Sequence, residues 1–555
     1  MLSSIQKVAL FGICLASSVL LYPLSAQENL TTEEWQDDIR YLQSTIHRKF
    51  PFLFKKVSTE DFDKAVDALH NDVANLEEHE IRVGLSRLVS LFQYGHTQIP
   101  YGTVAKAGIL PINLYLFNDG LYIEGVHKAH EVVLGAKVIK VGETPITKAL
   151  ELVRPVVPVE NDQYFKAYGI RFLLSPEVLH AQGVIPELNK TVSLTLEKEG
   201  RTFTYDFPTI PTEDKPRAFN FTLPTEDWLT ARDLSQTPLY LKYLDSKYYY
   251  FEYLDNEKTL YVRQSSVFDH ESESLKDFYK RLFDFIDNNK VDRLIYDVRL
   301  NGGGNNYNNL NLIKGLMARP QINSKGKFFF IIGRDTFSAC QNLTNEITTY
   351  TEAIIVGEPT AENLNFYGDN RPVQLPNSRI KAYLSFAWWQ DKPKWENKDA
   401  TFPHIAVDMS YKDYITNADP VLEAAVNYKD DGFILDPMGH LTQLFITGDF
   451  ETLKKDAAKI AKDKRYKYYD FKEEFSNAAS RVLGQGNQQG ALFIFEIIAE
   501  LYPNSVGTWF SLGNLQMDMK QYEKAIVSFQ KILELKPKGM LARTAKSRIE
   551  ALQKM

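Results

Sequence analysis

One stretch near the middle of the chain, residues 327–360, constrains the fold more than any other. Phe328 to Ile332 is a continuous apolar run, long enough for a buried strand and too short for a helix. After a turn, Ser338 begins a segment with a helical pattern that reaches about Tyr350, and Ala353 to Val356 is a second buried run closed by Gly357. Strand, helix and strand in succession predict an α/β domain.

Ser338 stands where the predicted strand turns into the predicted helix. The N-terminal end of a helix favours negative charge, so a serine hydroxyl at this position is well placed to act as a nucleophile. Capping of the helix by Ser338, Thr336 or Asp335 would explain the same residues. This stretch alone leaves both interpretations open.

The remaining patterns divide the chain into further domains. Trp35, Ile39, Leu42 and Ile46 share one face of a helix, which begins a helical domain. Strands then dominate, and two of them joined by Gly142-Glu143, with a helix following, resemble the second half of a PDZ domain. We predict a signal peptide at 1–26, an N-terminal helical domain at 27–103, a PDZ-like β-rich segment at 104–237, the α/β domain at 238–425 and an all-α domain at 440–555.

The C-terminal domain contains an internal repeat. A set of positions recurs about 34 residues later, which is the period of the tetratricopeptide repeat. The repeat predicts packed helical pairs, a scaffold suited to holding a protein partner. The first copy has Ala491, Phe495, Ile498, Leu501 and Pro503; the second has Ala525, Phe529, Ile532, Leu535 and Pro537; Trp509, Leu512, Gly513 and Tyr522 fill the positions between.

Charge and the N-terminal segment restrict where the protein works and what it binds. The formal net charge is -7 and there is no basic block, which argues against nucleic acid as the partner. Lys7, the apolar run that follows it and the small residues before Gln27 predict an export signal cleaved near Ala26, with no membrane span left afterwards. One of the two cysteines, Cys14, lies in that signal, so a disulfide within the mature chain is excluded. We expect a periplasmic or secreted protein of a bacterial envelope.

A glycine run adds a second element of a possible catalytic site. Gly302, Gly303 and Gly304 follow a predicted buried strand, where backbone amides can approach a ligand without side-chain hindrance. Amides of Gly303 or Gly304, together with that of Ala339, would form an oxyanion hole for a Ser338 nucleophile. The run lacks the Lys-Ser/Thr of a phosphate-binding P-loop.

These motifs together resemble the core of the tail-specific (C-terminal processing) serine proteases, whose α/β core is crotonase-like. The distance along the chain from the serine motif to the Gly-Glu-x-Thr motif is the one found in that family. The resemblance implies a peptidase that cleaves polypeptides through Ser338. Its motifs are Asp297-x-Arg299-x-Asn301-x-Gly303-Gly304, Thr336-Phe337-Ser338-Ala339 and Val356-Gly357-Glu358-Pro359-Thr360.

One position departs from the family. The tail-specific enzymes use a lysine as base, and Asn363 occupies its place here. A second branch, which includes tricorn core protease, uses Ser, His and Glu. Gly95-His96-Thr97 resembles its histidine turn, and Glu396, before Phe402-Pro403-His404-Ile405, resembles its acid. The resemblance therefore implies His96 as base and Glu396 as the residue that orients it. Apart from the resemblance, His404 is a fallback base, and Cys340 is an alternative nucleophile that the spacing of the family motifs does not select.

Three functions follow from these observations. The expected one is an exported serine peptidase that needs no cofactor, since the histidines show no metal-ligand spacing such as His-x-x-x-His in a Glu-bearing helix. Loss of the family lysine also fits an inactive peptide-binding protein on the same fold. An esterase is the third, because acyl transfer to water uses the same groups.

Overall fold

The computed structural model describes residues 30–216, 219–429 and 432–554. The predicted signal peptide at 1–26 lies outside these ranges. Helix α1 begins at Thr32, because Thr31 and Glu34 form a reciprocal capping box. Ser58 caps the next helix by accepting the Asp61 N–H. The N-terminal helices are α1 (Thr32–Lys49), α2 (Thr59–Asp72), α3 (Glu78–Ser90) and α4 (Tyr101–Val104).

A seven-stranded antiparallel sheet follows these helices. Its strand order is β1-β2-β3-β5-β6, with β4 paired to β3 and β7 to β2. The sheet and the N-terminal helices share one hydrophobic core, so the two predicted segments pack as a single body. The elements are β1 (Ile112–Phe117), β2 (Gly120–His127), β3 (Lys137–Val141), β4 (Thr144–Pro145), α5 (Ile146–Val153), α6 (Asp162–Tyr164), α7 (Pro176–Ala181), β5 (Thr191–Lys198), β6 (Arg201–Pro208) and β7 (Trp228–Thr230).

The second sheet is the predicted α/β unit. Its order is β15-β12-β11-β10-β9-β8; β8 is antiparallel to β9 and the other pairs are parallel. Helices cover both faces of a parallel sheet, so its strands are buried and their sequences are continuous apolar runs. Residues 328–332 are such a run, and all five are buried. The elements are β8 (Tyr249–Leu254), β9 (Thr259–Gln264), α8 (Leu275–Asn288), β10 (Arg293–Asp297), α9 (Leu310–Met317), β11 (Phe328–Ile332), α10 (Ala339–Tyr350), β12 (Ile354–Gly357), β15 (Ile405–Ala406), α11 (Tyr411–Ile415) and α12 (Pro420–Val426).

A long hairpin leaves this sheet and joins the two halves of the protein. Strands β13 (Asn365–Gln374) and β14 (Lys381–Gln390) pair with each other. Gln98 forms a β-bridge with Tyr383 of β14, and the Asp38 carboxylate of α1 accepts hydrogen bonds from the N–H groups of Asn377 and Ser378 at the hairpin tip. The hairpin therefore holds the end of the N-terminal helical region against the α/β unit.

The C-terminal part is entirely helical, and its first helices pack on the α/β unit. The core that contains Ile331 and Val356 of the sheet continues into Leu453 and Phe475 of these helices. Among the described residues, no helix combines the length and the apolar character needed to cross a bilayer. The helices are α13 (Pro437–Thr447), α14 (Phe450–Lys462), α15 (Phe471–Gly484), α16 (Gln488–Leu501), α17 (Val506–Asp518), α18 (Tyr522–Leu535) and α19 (Met540–Leu552).

Candidate active site

Ser338 occupies a strained turn between β11 and α10. Its backbone has φ 57° and ψ -128°, a conformation that residues with a Cβ rarely adopt and that is concentrated at functional sites. The side chain makes no capping hydrogen bond to α10, and the Thr336 hydroxyl is used elsewhere, donating to Val298 O. Of the two sequence interpretations, the cap is therefore wrong, and the Ser338 hydroxyl has no hydrogen-bond partner among the described residues.

The glycine loop holds this turn by direct backbone contact. A Cβ placed on Gly303 would lie 2.7 Å from Ser338 Cβ and 2.9 Å from Ala339 N, and Gly303 has φ +103°. The Asn301 side chain fixes the loop, since its Oδ1 accepts the Gly303 N–H at 2.9 Å while Asn301 O accepts the Phe337 N–H at 3.2 Å. Only glycine fits at position 303.

These contacts also determine which backbone N–H groups can donate hydrogen bonds to an oxyanion. The Gly303 N–H is engaged with Asn301, so it is not available to a ligand. The N–H groups of Gly304 and Ala339 have no hydrogen-bond partner in the described parts of the chain, and that of Ala339 lies at the N-terminus of α10. Two of the three amides named from the sequence therefore stay candidates for the oxyanion hole.

The turn that carries His96 is held by buried contacts on both sides. A Cβ on Gly95 would lie 2.3 Å from the Tyr164 ring, so glycine is required there. Tyr164 donates its hydroxyl to Gly95 O at 3.2 Å. On the other side, Thr97 donates its hydroxyl to Ser385 Oγ of β14 at 2.9 Å. The hairpin thus brings His96 from the N-terminal region to the α/β unit.

His96 shares a cleft with Ser338. The cleft has a volume of about 970 Å³ and is lined by both residues. The imidazole stacks on the Phe337 ring with centroids 4.7 Å apart, and the side chain is 18% exposed. Burial lowers the pKa of His96 to about 4. The imidazole is therefore neutral at physiological pH, the form in which it can accept a proton.

A carboxylate that the sequence analysis did not single out lies between His96 and Ser338. Glu362 accepts the Ser338 N–H through Oε2, and its Oε1 lies 3.5 Å from His96 Nε2. The Glu362 side chain is fully buried. Neither Oε1 nor Nε2 has a hydrogen-bond partner among the described residues. The signal that could have revealed Glu362 is its place directly before Asn363, the position of the family lysine.

A second buried carboxylate, Glu160, supports both sides of this arrangement. It accepts the Gly95 N–H at 2.8 Å, the Asn363 N–H at 3.2 Å and the Asn363 side-chain amide at 2.6 Å. Burial raises the pKa of Glu160, and the nearby Lys56 and the hydrogen bonds from Gly95 and Asn363 only partly oppose that rise. Burial raises the pKa of Glu362 well above its ordinary range, and the neighbouring Glu160 raises it further.

Glu396, the acid predicted from the sequence, is not among the residues that line the cleft. It ends the short 3₁₀ helix Lys394–Glu396, is exposed, and makes no contact with His96 among the described residues. His404 is committed to the fold, because its Nδ1 accepts the Ile355 N–H at 3.0 Å. Cys340 is fully buried in α10, and burial raises the pKa of its thiol. The acid assigned from the sequence is therefore not the one that the fold brings to His96.

Comparison with known proteins gives a repeat and a set of structural neighbours. The profile of the tetratricopeptide repeat family matches residues 507–538, which confirms the predicted repeat there. No curated protein matches the chain. One similar solved structure is mature CPAF, with 11% identity over 73% of this chain and 99% of that one and a TM-score of 0.49. Another is the photosystem II D1 C-terminal processing protease, with 12% identity over 68% of this chain and 94% of that one and a TM-score of 0.31. A third is tricorn protease, with 13% identity over 71% of this chain and 36% of that one and a TM-score of 0.34.

These neighbours include a C-terminal processing protease and tricorn protease, the two groups whose motifs the sequence resembles. What the cleft can do follows from its own residues.

Proposed function

We propose that the chain is a serine peptidase in which Ser338 is the nucleophile, His96 the general base and Glu362 the acid that orients His96. One observation carries the proposal: a strained serine at a strand-to-helix turn shares a cleft with a neutral histidine, and one buried carboxylate contacts both. Strain and burial of this kind cost stability, and they are typical of catalytic sites.

The proposed reaction begins with attack of Ser338 Oγ on a peptide carbonyl carbon. His96 takes the hydroxyl proton as the C–O bond forms and returns it to the leaving amine as the C–N bond breaks. The carbonyl oxygen becomes an oxyanion, for which the N–H groups of Gly304 and Ala339 are the candidate donors, each worth about 3 kcal/mol. In the second half of the reaction, water attacks the acyl carbonyl carbon while His96 takes its proton. The bond between Ser338 Oγ and the acyl group then breaks as His96 returns that proton to Oγ.

Ionised Glu362 would fix the tautomer of His96. A carboxylate beside Nε2 favours the proton on that nitrogen, which leaves the Nδ1 lone pair to accept the Ser338 proton. The positive charge that develops on the imidazole is stabilised by the same carboxylate. In this arrangement Asn363 is not a base; it donates to Glu160 and so holds the loop that carries Glu362.

The cleft supports a polypeptide substrate better than a small ester. Its volume of about 970 Å³ exceeds what one acyl group needs, and aromatic and charged side chains line it, among them Tyr115, Tyr168, Arg171 and Lys215. We further propose that the C-terminal repeat binds a protein partner and that the mature protein is periplasmic or secreted. The repeat match supports the first of these and the residues at 1–26 support the second.

The inactive peptide-binding protein is the second candidate. It is favoured by the lack of a hydrogen bond between Ser338 Oγ and His96 in the described residues, although catalytic hydrogen bonds often form only in the substrate complex. A fluorophosphonate probe separates the two functions. Labelling that disappears in Ser338→Ala and falls sharply in His96→Ala supports the peptidase. An unlabelled protein that still binds peptides would overturn it.

A hydrolysis assay separates the peptidase from the esterase. Purified protein is incubated with an unfolded polypeptide and, separately, with short-chain aryl esters. Cleavage of the polypeptide that requires Ser338 supports the proposal. Ester turnover with intact polypeptide would assign the site to an esterase instead.

A further inference from the structure

Two histidines from different helices meet at the junction of α3 and α7, away from the cleft. His79 of α3 is buried, with 4% of its surface exposed, and His180 of α7 is half-buried. His79 Nε2 lies 2.8 Å from His180 Nδ1. Two neutral imidazoles can share one hydrogen bond at this distance, but a pair of ring nitrogens facing each other is also how histidines converge on a metal ion.

Carboxylates complete the cluster. Glu80 Oε1 lies 4.0 Å from His180 Nδ1, and the ligand atoms of His79, Glu80 and His180 all lie within 4.8 Å of one another. Glu77 Oε2 lies 3.4 Å from His79 Nδ1, the ring nitrogen that does not face His180. A carboxylate on the far nitrogen is the usual outer support of a metal-bound histidine, because it fixes the tautomer that exposes the ligating lone pair.

The local charge favours a cation at this point. Arg82, the nearest buried cation on α3, is already paired with Glu78 and Glu177. Neither Glu77 nor Glu80 forms a salt bridge with a lysine or arginine within the described residues. A divalent ion between the imidazoles would compensate both carboxylates.

We propose that His79, His180 and Glu80 form a binding site for a divalent transition-metal ion, with Zn²⁺ as the best fit, and that Glu77 orients His79. Two imidazoles and one carboxylate are typical zinc ligands, with a water molecule left for the fourth position. Nitrogens each about 2.1 Å from a tetrahedral ion stand about 3.4 Å apart, so the two nitrogens, now 2.8 Å apart, need to separate by about 0.6 Å. Spacing along the chain could not reveal this site, because its histidines come from separate helices.

The site would tie together two segments that hold the catalytic cleft. Helix α3 leads into the turn that carries His96, and α7 follows residues 166–174, most of which line the cleft. Metal binding here would stabilise the folded chain by linkage, since the unfolded chain does not hold the three ligands together. This inference does not depend on the proposed peptidase activity.

The test is zinc titration of the full chain without an affinity tag, stripped with a chelator and followed by calorimetry. We expect one Zn²⁺ per chain with a Kd of micromolar or below, a higher Tm with Zn²⁺ than with chelator, and no response to Ca²⁺. His180→Gln should abolish binding, Glu80→Gln should weaken it at least tenfold and Glu77→Gln about 10- to 100-fold. The Glu80 variant keeps the buried histidine pair, so it guards against a folding defect.

His440→Gln is the matched control. His440 also contacts a carboxylate, Asp456, at 2.7 Å, but among the described residues no second histidine joins it in a ligand cluster. This variant should bind Zn²⁺ like the original chain. Absence of zinc binding, or binding that survives both the His180 and the Glu80 substitution, would reduce the cluster to a hydrogen-bonded histidine pair and overturn the proposal.

Discussion

Glu362 Oε1 lies 3.5 Å from His96 Nε2, and both atoms are buried without a hydrogen-bond partner among the described residues. An unpaired polar atom in a dry interior costs free energy, about 1–3 kcal/mol for each group. The two residues reach each other from distant parts of the sequence, so the contact is a product of the tertiary fold. The proposed catalysis would give a reason for keeping this contact.

The first prediction concerns which carboxylate, that of Glu362 or that of Glu396, orients His96. Glu362→Gln removes the carboxylate that stabilises a protonated His96, so kcat/KM should fall by at least about 100-fold. Glu396→Gln changes an exposed side chain and should stay within about twofold of the original protein. Peptide hydrolysis by both purified variants is the measurement. The reverse order of effects would restore Glu396 as the acid and exclude the assignment of Glu362.

The second prediction concerns pH. Burial lowers the pKa of His96 to about 4 and raises that of Glu362. The active form has neutral His96 and ionised Glu362, so activity should rise with pH as Glu362 loses its proton. The acid limb of kcat/KM should therefore lie above pH 4, with an apparent pKa that belongs to the coupled carboxylates. Residual activity of Glu362→Gln should lack this limb; an unchanged profile in that variant would assign the limb to another group.

The third prediction tests the glycine loop. Gly303→Ala places a Cβ 2.7 Å from Ser338 Cβ at a positive φ, so it should displace the nucleophile and abolish probe labelling. Gly302→Ala is the matched control, because its Cβ would meet only the Tyr168 hydroxyl, at 3.8 Å. The control should label at a rate within a few-fold of the original protein. Equal labelling of both variants would show that the close approach does not position Ser338.

The fourth prediction concerns strain at Ser338. Ser338→Gly and Ser338→Ala both remove the hydroxyl and differ in the Cβ that the φ of 57° disfavours. Such strain costs about 1–3 kcal/mol, partly offset by the greater freedom of glycine in the unfolded chain. The glycine variant should therefore exceed the alanine variant by about 1 kcal/mol in free energy of unfolding, measured with urea. An alanine variant of equal or greater stability would mean that the turn is unstrained.

The fifth prediction concerns Asn363. Its side chain donates to buried Glu160 at 2.6 Å, and a hydrogen bond to a charged group is worth about 1.5–3 kcal/mol. Asn363→Ala should lower the free energy of unfolding by about that amount and reduce activity, since Glu362 is its neighbour. Asn288→Ala, at an exposed helix position, should change stability by less than about 0.5 kcal/mol. If the free energy of unfolding falls no more in Asn363→Ala than in the control, Asn363 does not stabilise the site.

Local signals predicted much of the fold. The apolar runs of the parallel sheet lie within single strands and the repeat period spans one helical pair, so both can be recognised along the chain. Strand β11 and helix α10 begin and end close to the predicted residues. The turn at Ser338 was predicted from the apolar run before it and the helical pattern after it.

The acid of the site could not be found in this way. Glu362 differs from Glu396 in burial and in its contacts, and both properties depend on how β13 and β14 return to the N-terminal helices. The engagement of the Gly303 amide by Asn301 is likewise a matter of hydrogen-bond geometry that a glycine run does not encode. Sequence patterns predicted the types of residue in the site, and tertiary contacts determine which individual residues form it.

The bridge between Gln98 and Tyr383 has a consequence for biosynthesis. During translation His96 leaves the ribosome long before Ser338, and the strand that holds its turn emerges later still. A nascent chain therefore has no assembled nucleophile and base until the hairpin has docked. For the proposed peptidase, this order of assembly delays activity until β14, which ends at residue 390 of 555, has been synthesised and has docked.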